Sequence, residues 1–239
     1  CGLGSSSSLI AGVAAAVNEL YGKVIPPQEM VRYCAQNHGE EIKDNQEYMM
    51  PVQCIGGSAV CGHFDGSLII LSGQATPIFR YNLPSDYKVV IGVPSDYTPD
   101  DSMTLMNAEI EHMDGFAASG KVFGKEIAYR LVHEVMPSLA NSDTTACKQL
   151  IFDYRWDMGS IQNCSFVYPR MNEIASSLRE VAQDDRIKLI SLSSVGPGFF
   201  IVCASDHVAF ADNTLTKHGM KTYVTNIENE SYSVDRSES

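Results

Sequence analysis

The segment GLGSSSS, residues 2–8, leads straight into an apolar pattern at helical spacing: Leu9, Val13, Ala16, Val17 and Leu20, with Gly22 where a C-cap sits. This predicts a helix over residues 7–21 that is entered through a loop of small residues. Such a loop restricts what can be built around it. Its glycines let the main chain turn tightly and come close to a ligand. The unpaired N–H groups and the dipole at the start of the helix attract an anion. Serine hydroxyls can cap the helix, donate to phosphate or touch Mg²⁺. The loop therefore reads as a nucleotide-phosphate cradle without a Walker lysine, and the plainer reading is a serine N-cap behind a linker. A second segment of the same composition, SLSSVGPGFF at residues 191–200, lies between two strand-length apolar runs. Its backbone can approach a ligand or the first loop, although Gly-Pro-Gly is also an ordinary turn.

Between these loops the periodicity changes twice. PPQEMVRYCAQ predicts a second helix, with proline at its entry and Glu29 in the positive first turn. Short strands are predicted at residues 58–61 and 67–71 around the Asp65-Gly66 turn, and a buried strand in YKVVIGVPS, closed by Pro94. Helical patterns run from there to about Asp185. RIKLISLSSVGPGFFIVCAS then gives two strands, followed by a helix, a strand in KTYVTNI and a polar tail predicted to be disordered. The order fits an α+β protein of two lobes: residues 1–86, residues 87–229 and a tail at 230–239.

Composition narrows the function. Seventeen basic residues against 29 acidic ones give a net charge of -12, with no basic stripe, so no nucleic-acid partner is expected. No apolar run has bilayer length and no signal-peptide pattern is visible, so no membrane partner is expected either. Seven cysteines without regular spacing, among them Cys54, Cys61 and Cys203 in apolar surroundings, read as buried thiols of a reducing compartment. A cytoplasmic location follows as the expectation, and no CxxC or HExxH points to zinc.

GLGSSSS followed by a helix resembles the second signature of the GHMP kinase superfamily, and SSVGPGFFIV resembles the third. PIFRYNLPSDYKVVIGVP, VMPSLANSD and LSSVGPGFF are most similar to the archaeal branch that includes β-ribofuranosylaminobenzene 5′-phosphate synthase. The resemblance implies a GHMP fold: a ribosomal-S5-domain-2-like N-terminal lobe carrying the phosphate loop, and a ferredoxin-like C-terminal lobe. The nucleotide is expected in the cleft between the lobes. It also implies a strand region ahead of this loop, so that Cys1 reads as an internal position and the N-terminal lobe as incomplete. An N-terminal nucleophile hydrolase using the Cys1 thiol is the competing reading; it calls for β-structure directly after the nucleophile, where this sequence predicts a helix.

The activity that the resemblance implies is an ATP- and Mg²⁺-dependent small-molecule kinase. Its phosphates would lie on Gly2, Gly4, Ser5, Ser6 and Ser7, with Ser194 and Gly196 contributed by the second loop, and Ser6 would be the metal ligand. Asp44 and Glu47, in KDNQEYMMPVQCIGG, are the candidate catalytic carboxylates, to orient an acceptor hydroxyl. A synthase using phosphoribosyl diphosphate is the alternative, although QNHGEEIKDNQEY replaces the GRGxxSGIG type of segment of that branch. A non-catalytic nucleotide-binding protein is the third reading, and a homodimer is left open. His38, beside the acidic loop, is a weaker candidate, and Arg80 is a candidate anion partner. His63 lies beside the hairpin turn. His133, Phe152, Tyr154 and Trp156 read as helix packing.

Overall fold

The computed structural model describes residues 2–36, 60, 62–72 and 76–235. The chain divides into two compact units, one formed by Cys1–Leu3 with Pro84–Ile227 and the other by Gly4–Leu83 with Glu228–Ser239.

The larger unit is built on four antiparallel strands, β3 (Tyr87–Pro94), β4 (Ile187–Leu192), β5 (Phe199–Ala204) and β6 (Met220–Asn226), in the order β4-β5-β3-β6. With helices between β3 and β4 and between β5 and β6, this is the βαββαβ arrangement of ferredoxin-like sheets. β4 and β5 are buried along most of their length, which is why they read as continuous apolar runs and not as alternating ones. β3 lies between β5 and β6, with Val90 opposite Ile201 on one side and Val224 on the other. Leu178, Ile187, Leu192, Phe199, Ile201 and Leu215 are fully buried in the core of this unit. Gly92 leaves room for α9 (Val208–Lys217) and β6, since a Cβ there would lie 2.6 Å from Met220 Sδ and 3.1 Å from Leu215 Cβ.

The helical stretch between β3 and β4 is interrupted by two π-helical turns. Helices α3 (Ser102–Glu111) and α4 (Met113–Arg130) run into the first, Leu131–Val135, followed by α5 (Met136–Ala140). Helix α6 (Thr145–Phe152) runs into the second, Asp153–Asp157, followed by α7 (Ser160–Asn163) and α8 (Met171–Val181). Arg130 closes the two π segments together, its Nη1 lying 2.7 Å from Asp153 Oδ2 and its Nε 3.1 Å from Glu134 Oε2. Phe152 stacks on Trp156 at 5.1 Å, and the indole N–H donates to Ala175 O at 2.8 Å, so the lone tryptophan is packing.

In the smaller unit α1 (Ser5–Leu20) and α2 (Pro27–Gln36) pack together, with Met30, Val31, Cys34 and Val60 buried among Ile10, Ile25, Phe64 and Ile69. The connection between the helices is fixed by Asn18, whose amide donates to Ile25 O at 2.8 Å while its Oδ1 accepts Ile25 N–H at 3.0 Å. β1 (Leu68–Leu71) pairs antiparallel with β2 (Pro77–Tyr81), so the strand predicted at 67–71 has a partner on its C-terminal side. The strand predicted at 58–61 lies largely outside the described residues. The sequence predicted disorder from residue 230, whereas Ser231 N–H donates to Asp65 Oδ1 at 2.9 Å and Tyr232 N–H to Gly62 O at 2.7 Å. The C-terminal segment thus returns to the unit that contains the first helix. Among the described residues no helix is long and apolar enough to cross a membrane.

Candidate functional site

Gly2 takes a left-handed φ of 72° and lies directly against the second glycine-serine loop. A Cβ on Gly2 would be 2.2 Å from Ser193 O and 3.2 Å from Gly196 O, a space only glycine fits. Ser193 Oγ donates to Gly2 O at 2.8 Å and fastens the two segments across 191 positions of sequence. Two residues beyond this contact the chain enters α1 through Gly4, which holds the N-cap position at φ 70° with no side chain to cap the helix. The first turn contains no acidic residue, and its first internal bond runs from Ser8 N–H to Gly4 O at 2.8 Å. Among the described residues this helix start has no side-chain cap and no acid in its first turn, and N–H groups and a positive dipole end of that kind suit an anion.

The second loop is held as tightly from within. Ser193 N–H donates to Gly198 O at 2.7 Å and Gly196 N–H to Ser193 O at 2.8 Å; the Gly196–Pro197 peptide is cis. Ser194 carries a positive φ of 53°, and Gly196 one of 92°. At Gly196 a Cβ would meet Met171 Cε at 2.5 Å and Leu192 Cδ1 at 2.8 Å, so its glycine serves close packing. The Gly196 amide is spent within the turn, and Gly196 shapes the loop instead of offering its N–H outward.

Arg155 is a residue that sequence reasoning missed. It lies in the second π-helical turn, and its Nη1 donates to Ser194 O at 3.2 Å and to Ser160 Oγ at 3.0 Å, while Nε donates to Ser191 Oγ at 2.9 Å. The signal available was a lone basic residue in FDYRWD, hidden by flanking acids that suggest a solvated ion pair. Glu109 on α3 was missed as well; it is buried, and burial pushes its carboxyl up to about 7.

Other predicted residues are dispersed. Asp44, Glu47 and His38 lie outside the described residues, as do the side chains of Ser5 and Ser6. Ser7 is buried in the first turn of α1. Arg80 is exposed on β2 with its guanidinium 5.6 Å from the Phe64 ring centre. His133 lies against Tyr129 at 4.5 Å within the first π turn, and His63 is buried edge-on to Tyr232 at 5.8 Å. Cys203, Cys34, Cys147 and Cys164 are buried free thiols, and among the described residues no cluster of three metal-ligating side chains occurs.

Comparison with known proteins relates this chain to others by a profile match over its first residues and by its fold. Residues 1–57 match the family profile described as GHMP kinases N terminal domain. No curated protein matches the chain by sequence. Among solved structures, the chain is similar to a homoserine kinase from Cytophaga hutchinsonii, with 13% identity and a TM-score of 0.60, over 96% of this chain and 67% of that one. It is similar to a mevalonate pyrophosphate decarboxylase from Streptococcus pyogenes, with 13% identity and a TM-score of 0.58, over 95% and 66%. A mevalonate-3-kinase from Thermoplasma acidophilum, bound to mevalonate 3-phosphate and ADP, aligns at 15% identity and a TM-score of 0.55, over 92% and 64%. The chain thus spans about two thirds of the length of these structures. It carries the GHMP kinase N-terminal domain match over residues 1–57 and has the α+β fold of the GHMP kinases.

Proposed function

We propose that this chain belongs to an ATP- and Mg²⁺-dependent enzyme that phosphorylates a small molecule. The observation that carries this reading is the contact of Gly2 with Ser193 and Gly196, which ties both glycine-serine loops together just ahead of an uncapped helix. The main-chain amides of Gly2, Gly4, Ser5, Ser6 and Ser7 would donate to phosphate oxygens, and in the second loop Ser193 holds Gly2 in place. The Ser6 hydroxyl is the proposed protein ligand to Mg²⁺, and Asp44 or Glu47 the carboxylate that orients the acceptor hydroxyl. ATP would supply the phosphoryl group, and the metal would screen its charge. The chain's own work is then positioning and charge stabilisation, which provide most of the rate in phosphoryl transfer.

The fit of a triphosphate rests on the donor set: a helix start without an acidic first turn, preceded by glycines at left-handed φ that place no side chain over the main chain. A thermal-shift titration tests it. MgATP is expected to stabilise the protein in proportion to the logarithm of its concentration, by about 2.7 kcal/mol at a hundredfold excess over Kd. Ser6→Ala is expected to weaken the Mg²⁺-dependent part of that stabilisation while the melting temperature without ligand stays unchanged. An unaltered Mg²⁺ dependence would remove Ser6 from the site.

A further inference from the structure

Five arginines fall within the larger unit, and four have a carboxylate partner: Arg130 with Asp153, Arg170 with Glu173, Arg179 with Asp157 and Arg186 with Asp184. Arg155 has none among the described residues. The two acids nearest to it in sequence are already taken, Asp153 by Arg130 and Asp157 by Arg179. Its hydrogen-bond acceptors, Ser160 Oγ, Ser191 Oγ and Ser194 O, are all neutral. The ionisable side chains that act on it are the Tyr154 phenol and the Cys164 thiol, neither of them a carboxylate, and burial disfavours its charged form. A desolvated cation ordinarily has a counter-charge, because an unpaired one is costly.

The geometry leaves one part of the guanidinium free. Arginine has five N–H donors; Nε and both hydrogens of Nη1 are committed to the serines and the loop carbonyl, which fixes the plane of the group. Nη2 donates to nothing among the described residues and is not sealed from solvent. The residue lies in a π-helical turn, an irregularity often found at functional sites. Its loop partner, Ser194, adjoins Ser193, the residue bonded to Gly2.

We propose that Nη2 of Arg155 binds an oxyanion of the enzyme's substrates at the second glycine-serine loop. The group is a phosphate or a carboxylate, the oxyanions that a fixed planar guanidinium suits. In a chain of net charge -12 a local cation is what overcomes the general repulsion of an anion. The proposal rests on the kinase reading only for the source of the oxyanion: a phosphate of the nucleotide, or an acid group on the acceptor.

Isothermal titration of the wild type, Arg155→Met and Arg155→Gln with pyrophosphate and, separately, with MgATP tests it. Glutamine keeps a donor for the serines without the charge, and is the variant to read if methionine fails to fold. Wild type is expected to bind pyrophosphate, and the folded variant to bind it roughly ten- to a hundredfold more weakly, the worth of a charge-assisted hydrogen bond. A parallel loss for MgATP assigns the oxyanion to the nucleotide; an unchanged MgATP affinity assigns it to the acceptor. Pyrophosphate binding that is absent in wild type, or equal in wild type and folded variant, would overturn the proposal. Failure of the kinase reading looks different: wild type ignores MgATP, yet its pyrophosphate binding still depends on Arg155.

Discussion

At Gly2 one hydrogen atom in place of a methyl group decides whether two distant loops can touch, and at Glu109 one proton decides how well a helix is tolerated in its surroundings. Glu109 is 7% exposed and burial raises its carboxyl to about 7 from an ordinary 4.5. The unfolded chain releases this proton near pH 4.5, whereas the folded protein keeps it to about pH 7. Between those values the folded state binds more protons, so the contribution is fully present below pH 4.5 and is lost as pH rises through 7. Denaturant unfolding across this range is expected to show wild type losing about 2 kcal/mol, at roughly 1.4 kcal/mol per pKa unit with allowance for residual solvation. Glu109→Gln, neutral at every pH, is expected to remove that slope; an unchanged slope would place the carboxyl in a solvated environment.

Among the elements, the connection from α1 to α2 depends on a side chain acting as main chain. The Asn18 amide pairs with both polar groups of Ile25, doing for the turn what a strand partner does elsewhere. Asn18 is 7% exposed, so little water can replace those bonds. Asn18→Ala leaves a backbone donor and acceptor unsatisfied, and the expected cost is on the order of 1–3 kcal/mol, read from the denaturation midpoint at constant m-value. Asn18→Asp is expected to recover only part, since a carboxylate accepts from Ile25 N–H but cannot donate to Ile25 O. The same logic separates the two π turns. Arg130 ties the first to the start of the second by ion pairs, a packing role, while Arg155 in the second turn is bonded to neutral groups only.

For the whole molecule, the return of the C-terminal segment to the smaller unit is the feature with the largest consequence. Asn229 O accepts Gly66 N–H at 2.8 Å, the Asn229 amide donates to Leu83 O at 2.9 Å, and Tyr232 OH reaches Glu19 Oε1 at 3.1 Å. Truncation after Ile227 is expected to speed amide hydrogen exchange in α1, α2 and β1 while β3, β4, β5 and β6 keep their protection; uniform exchange changes would contradict the division into units. By itself the sequence determined the helices, the core strands of the larger unit and both glycine-serine loops, because periods of 3.6 and 2 and small-residue turns report on neighbours a few positions apart. The β1–β2 pairing was only half legible, since PIFRY has a single polar residue, Arg80, to mark an alternation, and β2 has no fully buried position. Only the tertiary structure decided that Ser193 meets Gly2, that the tail packs beside Glu19 and that Arg155 has no acidic partner among the described residues. Those outcomes depend on contacts between residues as many as 213 positions apart, and no local pattern encodes which charges the path of the chain will pair.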